Sequence, residues 1–170
     1  LLIAEPSKEL IKNCQTGDLE SFKMLYQHYE KTIFGFCYRM LNNQQDTEDA
    51  VQTIFLNLYR HIAKFSFKAR FTTYLFSITR NVCHDILKKQ NVLKEELDEM
   101  NFISGNPFPM DHDISKAISF LPEKTRQCFI LFAIEEYPQE EIAKLLNIKV
   151  GTVKALIFQA RKKIVSWLSD

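Results

Sequence analysis

Residues 139–163 read QEEIAKLLNIKVGTVKALIFQARKK, a short amphipathic segment, a one-residue break and a longer basic segment. Ile142 and Ala143 are followed by Leu146, then Asn147, Ile148 and Val150, and finally Val153 and Ile157. Those spacings suit a helix-turn-helix. A small residue early in the first helix lets the second cross closely, and aliphatic residues at set offsets lock the pair. Asn147 takes the turn, because its short polar side chain tolerates left-handed geometry. The second helix turns outward Lys149, Thr152, Lys154, Phe158, Gln159, Arg161 and Lys162, with no acid between Lys149 and Lys163. An ordinary solvated face mixes in glutamate. A basic helix with small residues in its first turn can instead enter the major groove and offer amides to phosphate.

The same periodicity extends outward from this stretch. Only 4 glycines and 5 prolines occur in 170 residues, and the chain is 46% hydrophobic, so long helices with a real core are expected and the class is all-α. A short helix is expected over Ser7–Cys14, stopped at Gly17 and followed by an Asp18 cap. Phe22, Leu25, Tyr26, Tyr29, Ile33, Phe36, Cys37, Met40 and Leu41 recur at helical spacing. Asn42-Asn43 breaks that helix. Asp46 is expected to cap the next one, whose stripe is Ala50, Val51, Ile54, Phe55, Leu58, Tyr59 and Ile62. After a basic loop from Ser66 to Arg70, a third helix runs from about Thr72 into the 90s through Leu75, Ile78, Val82, Ile86 and Leu87. Such helices make an N-terminal bundle over residues 1–95. Residues 96–113 hold Gly105, Pro107 and Pro109 and read as a linker, with Phe102, Ile103 and Phe108 able to dock. Four shorter helices then fill 114–170: Ile114–Phe120, Glu123–Glu135, Gln139–Leu146 and Val150–Trp167.

Net charge is only +1, but its distribution is uneven: −3 over residues 1–59, +7 over 60–94, −6 over 95–114 and +3 over 115–170. Two basic blocks separated by an acidic one suit two polyanion-facing surfaces. The acidic linker is expected to fold back on the basic surfaces of the free protein. Between Phe65 and Arg80, the basic groups Lys68, Arg70 and Arg80 alternate with Phe65, Phe67, Phe71, Tyr74 and Phe76. That mixture suits single-stranded DNA, with cations for the backbone and aromatic faces for unstacked bases. Phe67, set in the loop, is the expected exposed ring.

The four cysteines (Cys14, Cys37, Cys83, Cys128) and four histidines share no metal-ligand spacing, so no metal or cofactor is expected and the cysteines read as buried thiols of a reducing cytosol. No nucleophile–base pair or phosphate loop points to an enzyme. The longest apolar run, Phe129 to Ile134, is too short to span a bilayer, and a cytoplasmic setting without membrane insertion is expected.

With these motifs in hand, the chain resembles the extracytoplasmic-function (ECF) sigma factors of the sigma-70 family. Leu121-Pro122-Glu123, Glu140-Glu141-Ile142-Ala143, Gly151-Thr152-Val153-Lys154 and Ala160-Arg161-Lys162-Lys163 resemble region 4, which in that family reads the minus-thirty-five promoter element. Asp46-Thr47-Glu48-Asp49 with Gln52 and Phe55-Leu56 resembles region 2.2, which binds the polymerase clamp helices. Phe71, Tyr74-Leu75, Ile78, Arg80-Asn81 and Asp85 resemble regions 2.3 and 2.4, which open and read the minus-ten element. The resemblance implies core RNA polymerase and promoter DNA as partners, and an anti-sigma factor, since such relatives are commonly held by one. It assigns polymerase binding to Asp46, Glu48, Asp49, Gln52, Phe55 and Leu56. Minus-ten contacts fall to Phe67, Lys68, Arg70, Tyr74, Arg80 and Asn81, and minus-thirty-five contacts to the seven outward residues of the last helix. The chain departs from the pattern at Ala155, Leu156 and Gln159, where hydroxyl or basic residues are usual, at Tyr74 for Trp, and at Thr53 for Glu. Two alternatives stay open: a free-standing helix-turn-helix regulator with a sensor or dimerisation domain, and a helical adaptor binding proteins only. A sensor domain has no need of the Asp46–Leu56 motif.

Overall fold

A computed structural model describes residues 4–96 and 112–169 of the chain, and every regular element among them is helical. Contacts divide them into two units, one before residue 97 and one from His112 onward.

In the first unit, α1 (Lys8–Gln15) starts where the Ser7 hydroxyl accepts from the Leu10 amide at 3.1 Å. It ends at Thr16 and Gly17, whose φ of +89° is a backbone state that a side chain would oppose. Asp18 then accepts from the Ser21 amide at 3.0 Å and caps α2 (Leu19–Leu41). Asn42, with φ 52°, closes α2 in the left-handed region. The cap of α3 (Gln44–His61) differs from the sequence expectation. Asn43, not Asp46, supplies it, its Oδ1 accepting from the Asp46 amide at 3.0 Å. The extended backbone of Asn43, directly after the left-handed Asn42, aims its side chain at the first-turn amides. Asp46 is thereby displaced into the first turn, where its carboxylate accepts from Gln90 Nε2 at 2.6 Å and ties α3 to α4. A 3-10 turn (Ile62–Lys64) and a loop lead into α4 (Phe71–Glu96).

Helices α2, α3 and α4 pack on one another, with α1 against α2. Leu25, Tyr29, Ile33, Phe36, Ile54, Leu58, Phe71, Leu75 and Phe76 are fully buried. Each large apolar side chain so buried stabilises the unit by roughly 1.5–3 kcal/mol. Phe36 meets Phe76 edge to face at 5.3 Å. On α4 the buried face is Leu75, Phe76, Thr79, Val82 and Cys83, while Ile78, Ile86 and Leu87 are half-buried. Thr79 can lie in the core because its hydroxyl donates to the Leu75 carbonyl at 3.0 Å. All four cysteines are free and buried, and the sulfurs of Cys37 and Cys83 touch at 3.6 Å between α2 and α4.

The second unit comprises α5 (His112–Ser119), α6 (Glu123–Ala133), α7 (Gln139–Leu146) and α8 (Val150–Ser169). Glu96 still belongs to α4, and His112 and Asp113 already to α5. The rest of the expected linker, with Phe102, Ile103 and Phe108, lies outside the described residues. Helix α6 stops at Ala133, two residues short of expectation, because Glu136 adopts a positive φ of 57° before Pro138 opens α7. Arg126 steadies the α5–α6 turn by donating to the carbonyls of Ser119 and Leu121. Helix α8 packs against α5, α6 and α7, burying Val153, Ile157, Ala160 and Ile164. Among the described residues no helix is long and apolar enough to cross a membrane.

Candidate nucleic-acid interface

The turn between α7 and α8 is the device that presents α8. Asn147 sits at φ 52°, ψ 51°, and the Ile148 amide reaches back to the Ala143 carbonyl at 2.9 Å. This pairing of a left-handed residue with a bond across six residues ends α7 sharply. Ile142, Ala143 and Leu145 are buried beneath it, so Leu145 takes the inward place expected for Leu146, which is half-buried.

All seven residues expected on the outward face of α8 are exposed: Lys149, Thr152, Lys154, Phe158, Gln159, Arg161 and Lys162. Phe158 is 69% exposed, the most open of the large apolar side chains among the described residues. Arg161 is held over the Phe132 ring of α6, 5.4 Å from its centroid, a contact that sequence reading did not foresee. The basic face begins at a helix N-terminus, where amides and dipole both favour phosphate.

In the first unit, α4 and the loop before it carry the second set. Lys68 and Asn81 are exposed, while Phe67, Arg70, Tyr74 and Arg80 are half-buried. Phe65 is the hub, with Phe67 at 5.0 Å, Tyr74 at 5.1 Å and Phe71 at 5.6 Å. Phe67 is therefore no free-standing ring, contrary to expectation: it leans edge-on against Phe65, and its φ of 56° turns the loop there. Tyr74 also donates through its hydroxyl to the His61 carbonyl at 3.3 Å. Arg80 donates to Asn81 Oδ1 at 3.0 Å.

Two further side chains hold this loop, and neither was singled out in the sequence. Gln15 Nε2 donates to the carbonyls of Ile62 and Phe65, at 3.0 and 2.8 Å. Glu5 accepts from the Phe71 amide at 2.8 Å, the Thr72 amide at 3.1 Å and the Thr72 hydroxyl, and pairs with Arg70 Nε at 3.2 Å. No local pattern could have revealed them, because their partners lie 47 to 67 residues away.

The third set lies on α3. Glu48, Asp49, Gln52 and Leu56 are exposed, Leu56 at 53%. Phe55 does not join them at the surface. It is 4% exposed and packs on Tyr26 of α2 at 4.6 Å, because at helical spacing it falls on the same face as Val51 and Leu58. Beside Leu56, Tyr59 is 43% exposed and stacks edge-on with Phe22 at 5.0 Å. The surface is thus an apolar ridge next to an acidic first turn.

Against known proteins, residues 25–92 match the family model for sigma-70 region 2 and residues 111–164 that for sigma-70 region 4. The ECF RNA polymerase sigma factor SigW of Bacillus subtilis is 30% identical, over 96% of this chain and 97% of its own. The ECF RNA polymerase sigma-E factor of Escherichia coli K12 is 27% identical, over 91% and 90%. Among solved structures, the sigma factor RpoE of Bartonella quintana in complex with the anti-sigma factor NepR superposes with a TM-score of 0.76 at 20% identity, covering 89% of this chain and 98% of that one. CnrH in complex with the cytosolic domain of CnrY gives 0.74 at 21%, covering 95% and 96%. These two likenesses concern the fold.

Proposed function

The chain belongs to the ECF sigma factors of the sigma-70 family and is an RNA polymerase sigma factor, and from that premise we propose which of its surfaces meets each partner. The observation that carries the assignment is the acid-free basic face of α8 from Lys149 to Lys162, its named residues all exposed, springing from a tight left-handed turn. Helix α8 enters the major groove of the minus-thirty-five element. Lys149, Lys154, Arg161 and Lys162 meet phosphates, while Thr152, Phe158 and Gln159 face base edges.

The unit before residue 97 binds polymerase and the minus-ten element, the unit from His112 onward reads the minus-thirty-five element, and the residues between them link the two. Gln52 and Leu56 dock on the polymerase clamp helices, with Glu48 and Asp49 beside them, Asp46 bracing α3 against α4 and Phe55 supporting the ridge from beneath. Lys68, Arg70 and Arg80 neutralise the backbone of the opened strand. Phe67, Tyr74 and Asn81 meet its bases. Melting needs no bond chemistry from the protein: unstacked bases are traded for aromatic surface and counterions are released from phosphate, so the chain acts as an initiation factor and not as an enzyme. Its work on core polymerase and promoter DNA places it in the cytoplasm.

RpoE was solved with the anti-sigma factor NepR and CnrH with the cytosolic domain of CnrY, and this chain too is held by an anti-sigma factor. The deciding experiment combines a pull-down on core polymerase with run-off transcription. A free-standing regulator would bind duplex DNA without core and give no run-off product.

A further inference from the structure

The segment joining α3 to α4 is gripped at both ends by residues from the start of the chain. At one end Gln15 fixes the carbonyls of Ile62 and Phe65. At the other, the Glu5 carboxylate sits on the first amides of α4 and on Arg70. A carboxylate there satisfies amides that no helical carbonyl can reach and meets the positive end of the helix dipole. Glu5 is in turn tied to the core, because the neighbouring Ala4 carbonyl accepts from the Tyr29 hydroxyl at 2.8 Å, and Tyr29 is fully buried.

Between these anchors lie Phe67, Lys68 and Arg70. Phe67 is held in left-handed backbone, which opposes an ordinary side chain and persists only where surrounding contacts over-determine it. A loop free at either end would have to be ordered when DNA arrives, at about 1–2 kcal/mol per residue.

We propose that Glu5 and Gln15 are positioning residues for promoter opening: from opposite ends they set the conformation of the 65–72 segment, so that Phe67, Lys68 and Arg70 meet the minus-ten strand already arranged. This inference rests on the assignment of that segment to the minus-ten element.

The test uses the full chain with core polymerase. Glu5→Ala removes the cap, and Gln15→Glu keeps the side-chain shape while removing the donor. Phe67→Ala and Lys68→Ala serve as variants of the loop itself. Three quantities are read: affinity for core, the rate of open-complex formation, and the ratio of that rate between an intact and a singly substituted minus-ten element. Glu5→Ala and Gln15→Glu are expected to leave core affinity within about twofold. Each is expected to slow opening about tenfold, the factor for re-fixing one backbone residue, and to shrink the ratio, with Glu5→Gln intermediate because it keeps one acceptor oxygen.

If the two anchor variants keep the full ratio while Phe67→Ala and Lys68→Ala lose it, the positioning role is overturned and the loop assignment stands. If the loop variants also keep it, the assignment fails and the positioning role with it. A parallel fall in core affinity, opening and thermal midpoint, with the ratio unchanged, reduces Glu5 and Gln15 to ordinary structural contacts. Should Glu5→Ala not fold, Gln15→Glu decides by the same readings.

Discussion

The guanidinium of Arg161 lies over the ring of Phe132, 5.4 Å from its centroid, so α6 steers a charge on the exposed basic face of α8. An exposed cation over a ring is worth about 0.5–1 kcal/mol. Phe132→Leu is therefore expected to weaken binding of a minus-thirty-five duplex by the holoenzyme roughly two- to fivefold. Arg161→Ala is expected to cost more, and the double variant no more than Arg161→Ala alone. Fluorescence anisotropy over the four-member cycle checks this. Fully additive losses would mean that Phe132 does not act through Arg161.

On α3, exposed and buried neighbours separate binding from folding. Gln52→Ala with Leu56→Ala is expected to weaken core polymerase binding by about 2 kcal/mol, the loss typical of an interface hot spot, with unchanged circular dichroism and thermal midpoint. Phe55→Ala is expected to do the reverse, lowering stability by roughly 3–5 kcal/mol through the cavity it leaves against Tyr26. Unchanged core affinity in the double variant would remove this ridge from the polymerase interface.

Helix α8 lacks basic residues at Leu156 and Gln159, and adding them is expected to strengthen its proposed hold on DNA. Gln159 is exposed and Leu156 half-buried, so Gln159→Arg is expected to give the larger gain. Each new phosphate contact steepens the dependence of log K on log salt by about 0.9. Lys154→Glu is expected to weaken binding and flatten that slope. Salt titrations of duplex binding that leave both slopes unmoved would show that another face of α8 meets DNA.

Buried thiols make stability fall in base. Burial pushes the Cys128 thiol up to about 11 from its ordinary value near 9, and Cys37 is raised well above its ordinary value by burial and then by contact with Cys83. A thiol with a raised folded pKa stays neutral in the native state while the unfolded chain ionises. Its contribution is therefore whole below about pH 9 and is lost as pH climbs toward 11. Cys128→Ala is expected to flatten the decline of the urea midpoint between pH 8 and 10, which for the parent corresponds to on the order of 1–2 kcal/mol. Thiol reagents at pH 8 should label the native chain slowly and all four cysteines once it is unfolded. Rapid native labelling would contradict their burial.

Helical spacing carries far in this chain because each helix has one apolar stripe wide enough to be read locally. The stripe from Leu25 to Met40, the pair Ile142 and Ala143, the left-handed Asn147 and the exposed basic face of α8 all follow from residues within a few turns of one another. The errors were local too. Asp46 reads as a cap because Asp favours that position, but Asn43 stands where the backbone has already turned. Ile78 and Tyr59 fall on apolar stripes yet are half-buried and 43% exposed, because the edges of a stripe depend on what packs across from it.

Other features belong to the tertiary structure alone. That Glu5 would sit on the amides of Phe71 and Thr72, that Gln15 would hold Ile62 and Phe65, and that Phe132 would lie under Arg161 are matters of which distant surfaces meet. The amino-acid order by itself determined the helices, the helix-turn-helix and the basic faces, since hydrophobic period, turn propensity and charge act over one to four residues. Only the packed structure decided how the aromatic and basic loop is held. Its fixed points are hydrogen bonds closed across 47 to 67 residues, and such closures exist only once the core has brought their partners together.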